Sequence, residues 1–316
     1  MDVGIIIGEA TPLEWERWRH VCRLVERLGF NSLFRSDHYF NGEQKEAIDV
    51  YLSFVMAAEE TERVRFGPLV TPVTFREPVN VGRMAQQLDA LSGGRFVLGL
   101  GAGWHPDEHR TYGIDFPPPA ERYDRLAEAL ALMKELWYSR SGTFDGVHYR
   151  LAGTDSKPHP PTGRPPILIG GTGPRRTLRI VAEHGHEWNA TPLDLADYKI
   201  AKETLEQHCA EVGRDPAEIR RSMLLFATIG PDQRNEDIAL QRFLDMIAPE
   251  GATITLEDAI AAGRGPWRGS VDQLVDHLGQ LAELGLDEVV FEHFCHEEDT
   301  IPEWLASDVM PRLAPL

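Results

Sequence analysis

Eight times along this chain a short apolar run without polar alternation is followed by a stretch with apolar residues at helical spacing. A strand that is apolar at successive positions must be covered on both faces, and helices returning over a parallel sheet provide that cover. The pairs are Val3–Ile7 with Pro12–Leu28, stopped at Gly29; Ser32–Ser36 with Val50–Glu60; Val64–Thr71 with Val79–Leu91; and Phe96–Gly101 with Ala120–Tyr138. They continue with Ile167–Gly170 and Pro174–His184, His186–Ala190 and Leu193–Val212, Arg221–Ile229 and helical stretches ending near Leu284, and Glu288–Glu292 and Ile301–Arg312. This repetition predicts an α/β fold, a closed TIM-type (β/α)8 barrel with insertions in place of an open sheet. Such barrels carry their chemistry at the C-terminal ends of the strands, so functional residues are sought just after each strand.

The 316 residues suit one barrel domain spanning 1–316, with two segments too long for simple connections, about 139–165 and 232–269. In the first, Gly142–Gly146 reads as a hairpin turn; in the second, a helical stretch near Leu256–Ala262 precedes a Gly263-Arg264-Gly265-Pro266 break. A formal charge of −18 without a basic cluster repels a nucleic-acid backbone. No apolar run approaches the roughly 18 residues that span a bilayer, and there is no basic leader with an apolar core, so a cytoplasmic protein without a membrane partner is expected. Cys22, Cys209 and Cys295 are far apart and lack metal-like spacing, which reads as small buried hydrophobes in a reducing compartment.

Candidate chemistry gathers at the strand ends. The fourth run ends in Gly99-x-Gly101-x-Gly103, a backbone that something flat can approach closely, or a strand packed tightly on its neighbour. The fifth leads into Gly170-Gly171-Thr172-Gly173-Pro174-Arg175-Arg176, a glycine loop before a helix opening with two arginines, which is suited to a phosphate. The glycine spacing at 99–103 is not the Rossmann fingerprint. Asp37-His38 closes the second strand, where an imidazole titrating near neutrality is placed to exchange protons; the alternative is an Asp that caps its loop beside a His satisfied by a carbonyl. Pro68, Pro72 and Pro78 impose irregular backbone around the third strand end, fit to lie under a planar ring or to stiffen a loop. His105 and His109 have the spacing of a helical metal pair, but Pro106 reads as an interruption, and His293-Phe294-Cys295-His296 reads as pocket lining; no metal is expected. Glu297-Glu298-Asp299 reads as a solvated helix start.

Taken in order, Ser36-Asp37-His38, Leu69 through Arg76, Leu91 through Gly103-Trp104, Phe116-Pro117-Pro118 with Glu121-Arg122-Tyr123, Ile167 through Gly173 and Glu187-Trp188-Asn189 resemble the bacterial luciferase-like monooxygenase family, in particular its coenzyme F420-dependent oxidoreductase branch. The resemblance covers nearly the whole chain. It implies a homodimeric barrel holding a flavin or deazaflavin across the strand C-termini. Asp37 would contact the cofactor and His38 would serve proton transfer beside the ring, the two forming the catalytic pair. Leu69, Val70 and Thr71 would form a bulge behind the ring, often with a non-proline cis peptide. Ala102, Gly103 and Asp107 would follow the cofactor tail, Gly170, Gly171, Thr172 and Gly173 its phosphate, and Arg175 and Arg176 would add charge there. Tyr39, Phe40, Trp104, His105 and Trp267 are placed as the wall for a small-molecule substrate. Two departures stand out: Trp104 replaces the catalytic glutamate of the sugar-phosphate dehydrogenases, and Gly185-His186-Glu187-Trp188-Asn189 replaces the usual Ala-Asp-Gly-Trp-Asn. The function implied is hydride transfer between coenzyme F420 and a small organic substrate. The alternative is a two-component monooxygenase using reduced FMN, and more distant ones are a flavin-binding barrel without turnover and a metal-dependent hydrolase.

Overall fold

The computed structural model describes residues 1–8, 13–40, 47–138, 142–157, 163–248, 252–292, 294 and 297–316. The elements follow the alternation read above: β1 (Asp2–Ile7), α1 (Trp15–Leu28), β2 (Ser32–Arg35), α2 (Val50–Glu60), β3 (Arg65–Pro68), β4 (Thr71–Pro72), α3 (Pro78–Ser92), β5 (Leu98–Gly101), α4 (Pro106–Tyr112) and α5 (Pro119–Tyr138). The hairpin β6 (Gly142–Asp145) and β7 (Arg150–Thr154) precedes β8 (Ile167–Gly170), α6 (Thr177–His184), β9 (Glu187–Ala190), α7 (Leu195–Val212), β10 (Arg220–Leu225), α8 (Gln233–Ile247), α9 (Leu256–Ala261), α10 (Val271–Glu283) and β11 (Glu288–Glu292). The chain ends in α11 (Thr300–Trp304), a π-type turn over Leu305–Val309 and α12 (Met310–Leu313).

The main sheet runs β3-β2-β1-β11-β10-β9-β8-β5-β4 with every pairing parallel. Its two edge strands are consecutive pieces of one run, and a bridge from Phe66 to Phe96 joins the remaining gap, so the sheet closes into a TIM-type barrel. The single strand expected over Val64–Thr71 is therefore two, broken at the Leu69–Val70 peptide, which is cis.

Side chains pointing into the barrel form layers. At the N-terminal end lies a charged plug: Arg65 pairs with Glu187, Arg220 bonds to Asp2 (2.6 Å) and Glu288 (3.3 Å), and Ser32 donates to Glu288 (2.5 Å). Above it Ile6, Phe34, Leu69, Val97, Leu168 and Val290 pack as a separate apolar core. The larger core lies between sheet and helices, where α1 contributes Trp18, Val21, Cys22 and Val25 from one face before Gly29 ends it at φ 89°.

Several local expectations change. Gly142–Asp145 is a strand, and the turn is closed one residue later by Gly146 N–H donating to Tyr149 O (3.0 Å). The Glu128 carboxylate on α5 accepts from the amides of Val147, His148 and Tyr149 and so holds that turn. Asp299 is more than a solvated cap, since it pairs with Arg17 (2.8 Å) and His20 (2.7 Å) of α1 and ties the last helices to the first. Cys22 and Cys209 are buried, and burial pushes both thiols up; His293, Cys295 and His296 lie outside the described residues.

Candidate active site

The glycines at the ends of β5 and β8 do admit a close neighbour, but it is protein. A Cβ on Gly99 would run into the Pro68 carbonyl, one on Gly101 would lie 2.7 Å from Val70 Cγ2, and one on Gly170 3.0 Å from Val70 Cγ1. Val70, lifted by the cis peptide, thus inserts between strands kept bare for it, and Leu69 beside it points into the barrel core. At Gly99 and Gly101 the reading of a tightly packed strand prevails over that of ligand contact. Gly103 (φ 80°) and Gly171 (φ 117°) remain as positions whose backbone itself requires glycine.

The second and third strand ends are fastened together through Asp37. Arg76 grips both carboxylate oxygens (Nη1 to Oδ2 2.5 Å, Nη2 to Oδ1 3.1 Å), Thr71 Oγ1 donates to Oδ2 at 2.7 Å, and Tyr51 OH donates to Thr71 Oγ1 at 3.0 Å. Asp37 is buried, and Arg76 presses on the Tyr51 ring at 5.0 Å. Burial works against the Arg76 charge, yet Asp37 holds the guanidinium net above its usual range, while burial pushes the Tyr51 phenol up. A carboxylate engaged at both oxygens is placed to hold the loop.

His38 is held from the other side by a residue that the sequence reading passed over. Glu108, fully buried, receives His38 Nδ1 at 2.7 Å, Tyr39 N–H at 2.5 Å and Phe40 N–H at 3.3 Å. Burial pushes the Glu108 carboxyl up, but the His38 ring and the two amides outweigh it and hold it net below its usual value. Glu108 reaches this position because Pro106 opens a helix: α4 begins at Pro106, whose missing N–H is harmless in a first turn. The expected interruption is therefore a helix start. His109 on that helix donates through Nδ1 to His105 O (2.7 Å) and lies 2.7 Å from Thr74 Oγ1 through Nε2, and burial lowers its pKa; it is a strut between the two loops.

Four of the five expected wall residues gather around His38. Trp104 meets it edge-on at 5.6 Å and His105 at 6.1 Å, with Phe40 6.2 Å from His105; Tyr39 packs on Phe75 (4.6 Å) and Tyr112 (4.7 Å). Trp104 is 63% exposed, so its indole is presented to the mouth. Trp267 stands apart: its backbone N–H donates to Phe226 O (2.7 Å) and its carbonyl accepts from the Thr228 amide just past β10, and among the described residues no ring contact joins it to the others.

On the β8 side Gly171 N–H donates to Asn189 O (2.9 Å), and Trp188, stacked on Tyr198 of α7, donates from Nε1 to Gly171 O (2.8 Å). Trp188 thus buttresses the glycine loop. The altered sixth strand has a local explanation, since Glu187 belongs to the charged plug and Asn189 is bonded to Ser222 (2.9 Å). Helix α6 starts only at Thr177, so the two arginines precede it. Arg176 turns to Asp124 (2.7 Å) and Ala120 O (2.9 Å) on α5, whereas Arg175 is exposed and has no ion pair or hydrogen bond among the described residues. Thr172 lies 3.3 Å from Thr191, Asp107 pairs with Arg110 (2.9 Å), Ala102 is half-buried, and Arg122 donates to Gly103 O while lying over Phe116 at 4.0 Å.

Comparison with known proteins places this geometry in context. A family model described as luciferase-like monooxygenase matches residues 6–300. The F420-dependent hydroxymycolic acid dehydrogenase of Mycobacterium tuberculosis is 28% identical over 98% of this chain and 88% of its own. The F420-dependent glucose-6-phosphate dehydrogenase of Microbacterium testaceum is 28% identical over 92% and 91%. Among solved structures, the coenzyme F420-dependent tetrahydromethanopterin reductase of Methanopyrus kandleri superposes with a TM-score of 0.80 at 19% identity, covering 99% of both chains. The monooxygenase RslO1 of Streptomyces bottropensis does so with 0.79 at 19%, covering 98% and 99%. At these identities the two structures speak for the fold alone.

Proposed function

The chain belongs to the luciferase-like monooxygenase family, and on that premise we propose that it is a coenzyme F420-dependent oxidoreductase transferring a hydride between the deazaflavin and a small organic substrate. The observation that carries this reading is the imidazole of His38, fixed at the strand ends by buried Glu108 and standing between the Asp37 clasp and the exposed Trp104. The curated relatives matched over nearly their full length are named as F420-dependent dehydrogenases, which favours the deazaflavin over FMN.

The residues present suit such a cofactor. The bulge at Leu69–Thr71 would back a flat ring, Ala102 and Gly103 would border its tail, and the Gly170–Gly173 loop, stiffened by Trp188, would take a phosphate with Arg175 beside it. Bound there, the deazaflavin supplies a hydride donor or acceptor. The chain's own work is to orient and to move a proton. With Nδ1 committed to Glu108, His38 exchanges its proton with the substrate through Nε2, and Asp37 and Arg76 keep the loop that carries it in place. Tyr39, Phe40, Trp104 and His105 exclude water from that exchange.

The protein is proposed to act in the cytoplasm as a homodimer of single-domain subunits. Leu52 (61% exposed) and Val55 on α2 offer an apolar face for the second copy, and Cys22 and Cys209 are free thiols. Fluorescence titration with oxidised F420 and, in parallel, FMN tests the central reading. Micromolar or tighter F420 binding with much weaker FMN binding is expected; preference for FMN moves the protein to the monooxygenase alternative, and binding of neither removes the cofactor assignment.

A further inference from the structure

The loop between β8 and α6 is pinned at three of its carbonyls. Gly171 O accepts from Trp188 Nε1 (2.8 Å), Gly173 O from the Leu178 amide (3.1 Å) and Pro174 O from His208 Nε2 (2.8 Å). A carbonyl can only accept, so His208 Nε2 carries a proton. Trp188 packs in the core between sheet and helices, stacked on Tyr198 of α7, and His208 stands on the same helix, so both side-chain donors lie on the helix-facing side of the barrel. In a trans peptide the N–H of the following residue points opposite to the carbonyl. The Trp188 bond therefore turns the Thr172 amide, and the His208 bond the Arg175 amide, away from α7. The rest of the loop is tied down as well: Gly171 N–H donates to Asn189 O (2.9 Å), Arg176 is held by Asp124 (2.7 Å), and Thr177 Oγ1 donates to Tyr123 OH (3.2 Å). His208 is itself held, with Nδ1 3.4 Å from Glu211, which pairs with Arg179 of α6 (3.1 Å).

We infer that His208 is a positioning residue for the cofactor's phosphate: from α7, 34 residues along the chain from Pro174, it sets the direction of an amide that receives the anion. The inference rests on the proposed function only in taking this glycine loop as the phosphate site, and it holds whichever ring the phosphate carries. Backbone amides bind an anion well when they are aimed before it arrives, because a misdirected N–H forfeits part of a charge-assisted bond. Trp188 serves Thr172 in the same way, but it is fully buried and its removal would disturb the core. His208 lies at the periphery of α7 and can be replaced without opening a cavity in the barrel.

The test is fluorescence titration of the full chain, as wild type, His208→Ala and His208→Gln, with F420 and its phosphate-free ribityl alcohol, and with FMN and riboflavin. Each pair shares a ring, and the second differs by the phosphate alone. His208→Ala is expected to weaken the phosphate-bearing member by about tenfold and to leave the phosphate-free member unchanged. His208→Gln, whose side-chain N–H can replace that of Nε2, should recover most of the loss. A general loosening of the fold would weaken both members alike. Equal weakening of the two, no weakening in His208→Ala, or a Gln variant no better than Ala would overturn the inference. Should only the FMN pair show the effect, the proposed function fails and the role of His208 stands. Should the wild type bind neither ring, the proposed function fails as well, and titration with inorganic phosphate decides on His208. The Thr172 and Arg175 amide resonances should then shift in the wild type and the Arg175 shift should shrink in His208→Ala, and the absence of either result overturns the inference.

Discussion

Glu108 is the residue whose removal is most informative, because three donors converge on one buried carboxylate. Glu108→Ala leaves His38 Nδ1 and the amides of Tyr39 and Phe40 without the buried acceptor they share. At about 1–3 kcal/mol for each orphaned donor, the longest bond counting least, the loss is about 3–5 kcal/mol of folding stability. That is a large share of the roughly 5–15 kcal/mol typical of a folded domain. Glu108→Gln keeps the shape and an amide oxygen for the backbone donors but removes the charge opposite His38, so about 1–2 kcal/mol is expected. Turnover should fall about tenfold to a hundredfold in the Gln variant through loss of imidazole alignment, with F420 affinity nearly unchanged. The pH dependence has a definite sign. The folded-state carboxyl lies below its usual value of 4.5, so its contribution is complete above that pH and disappears as acid protonates it in the folded state. Urea melts of wild type and Glu108→Gln should therefore differ at neutral pH and converge in acid. A gap that is the same at both pH values, or an Ala variant costing less than about 1 kcal/mol, would show that the carboxylate is not the anchor inferred from its three bonds.

Three further outcomes follow from the same geometry. Gly101→Ala, with its new Cβ 2.7 Å from Val70, should cost about 1–3 kcal/mol in chemical denaturation, and Val70→Ala in the same chain should recover much of it; purely additive losses would refute the interlock. Arg175→Ala should weaken F420 binding by about tenfold while Arg176→Ala, which breaks the exposed pair with Asp124 and the bond to Ala120 O, leaves it unchanged, so equal effects would contradict the separation of the two arginines. A Leu52→Glu, Val55→Glu double variant should sediment as monomer if α2 forms the subunit contact, and an unchanged dimer would place the contact elsewhere.

The barrel was legible because parallel strands covered on both faces are written as unbroken apolar runs, and Asp37-His38 because such residues stand out at the end of one. The sequence does not specify what their atoms meet across the fold. Glycines at 99, 101 and 170 announce a close approach but do not say that Val70 is the visitor, since that depends on a bulge in another strand. Arg176 looked like half of a phosphate site because its partner, Asp124, is 52 residues away on α5. Glu108 was hidden by Pro106, read as an interruption although a proline in the first turn also begins helices. The outward Trp188 could be named from its motif, yet its bond to the Gly171 carbonyl appears only once β8 and β9 are paired.

The ion cluster formed by Arg65, Glu187, Arg220 and Glu288, with the apolar layer stacked on it, closes the barrel at its base. Among the described residues the interior is thus closed at that end, which leaves the strand C-termini as its opening. A cofactor seated against the bulge and a substrate against Trp104 would share that opening, and the deeper of the two would have to arrive first and leave last. Steady-state analysis should then show a compulsory order: the spent cofactor competitive against the incoming one, the organic product a mixed inhibitor against either substrate, and a cofactor that dissociates only after the product has gone.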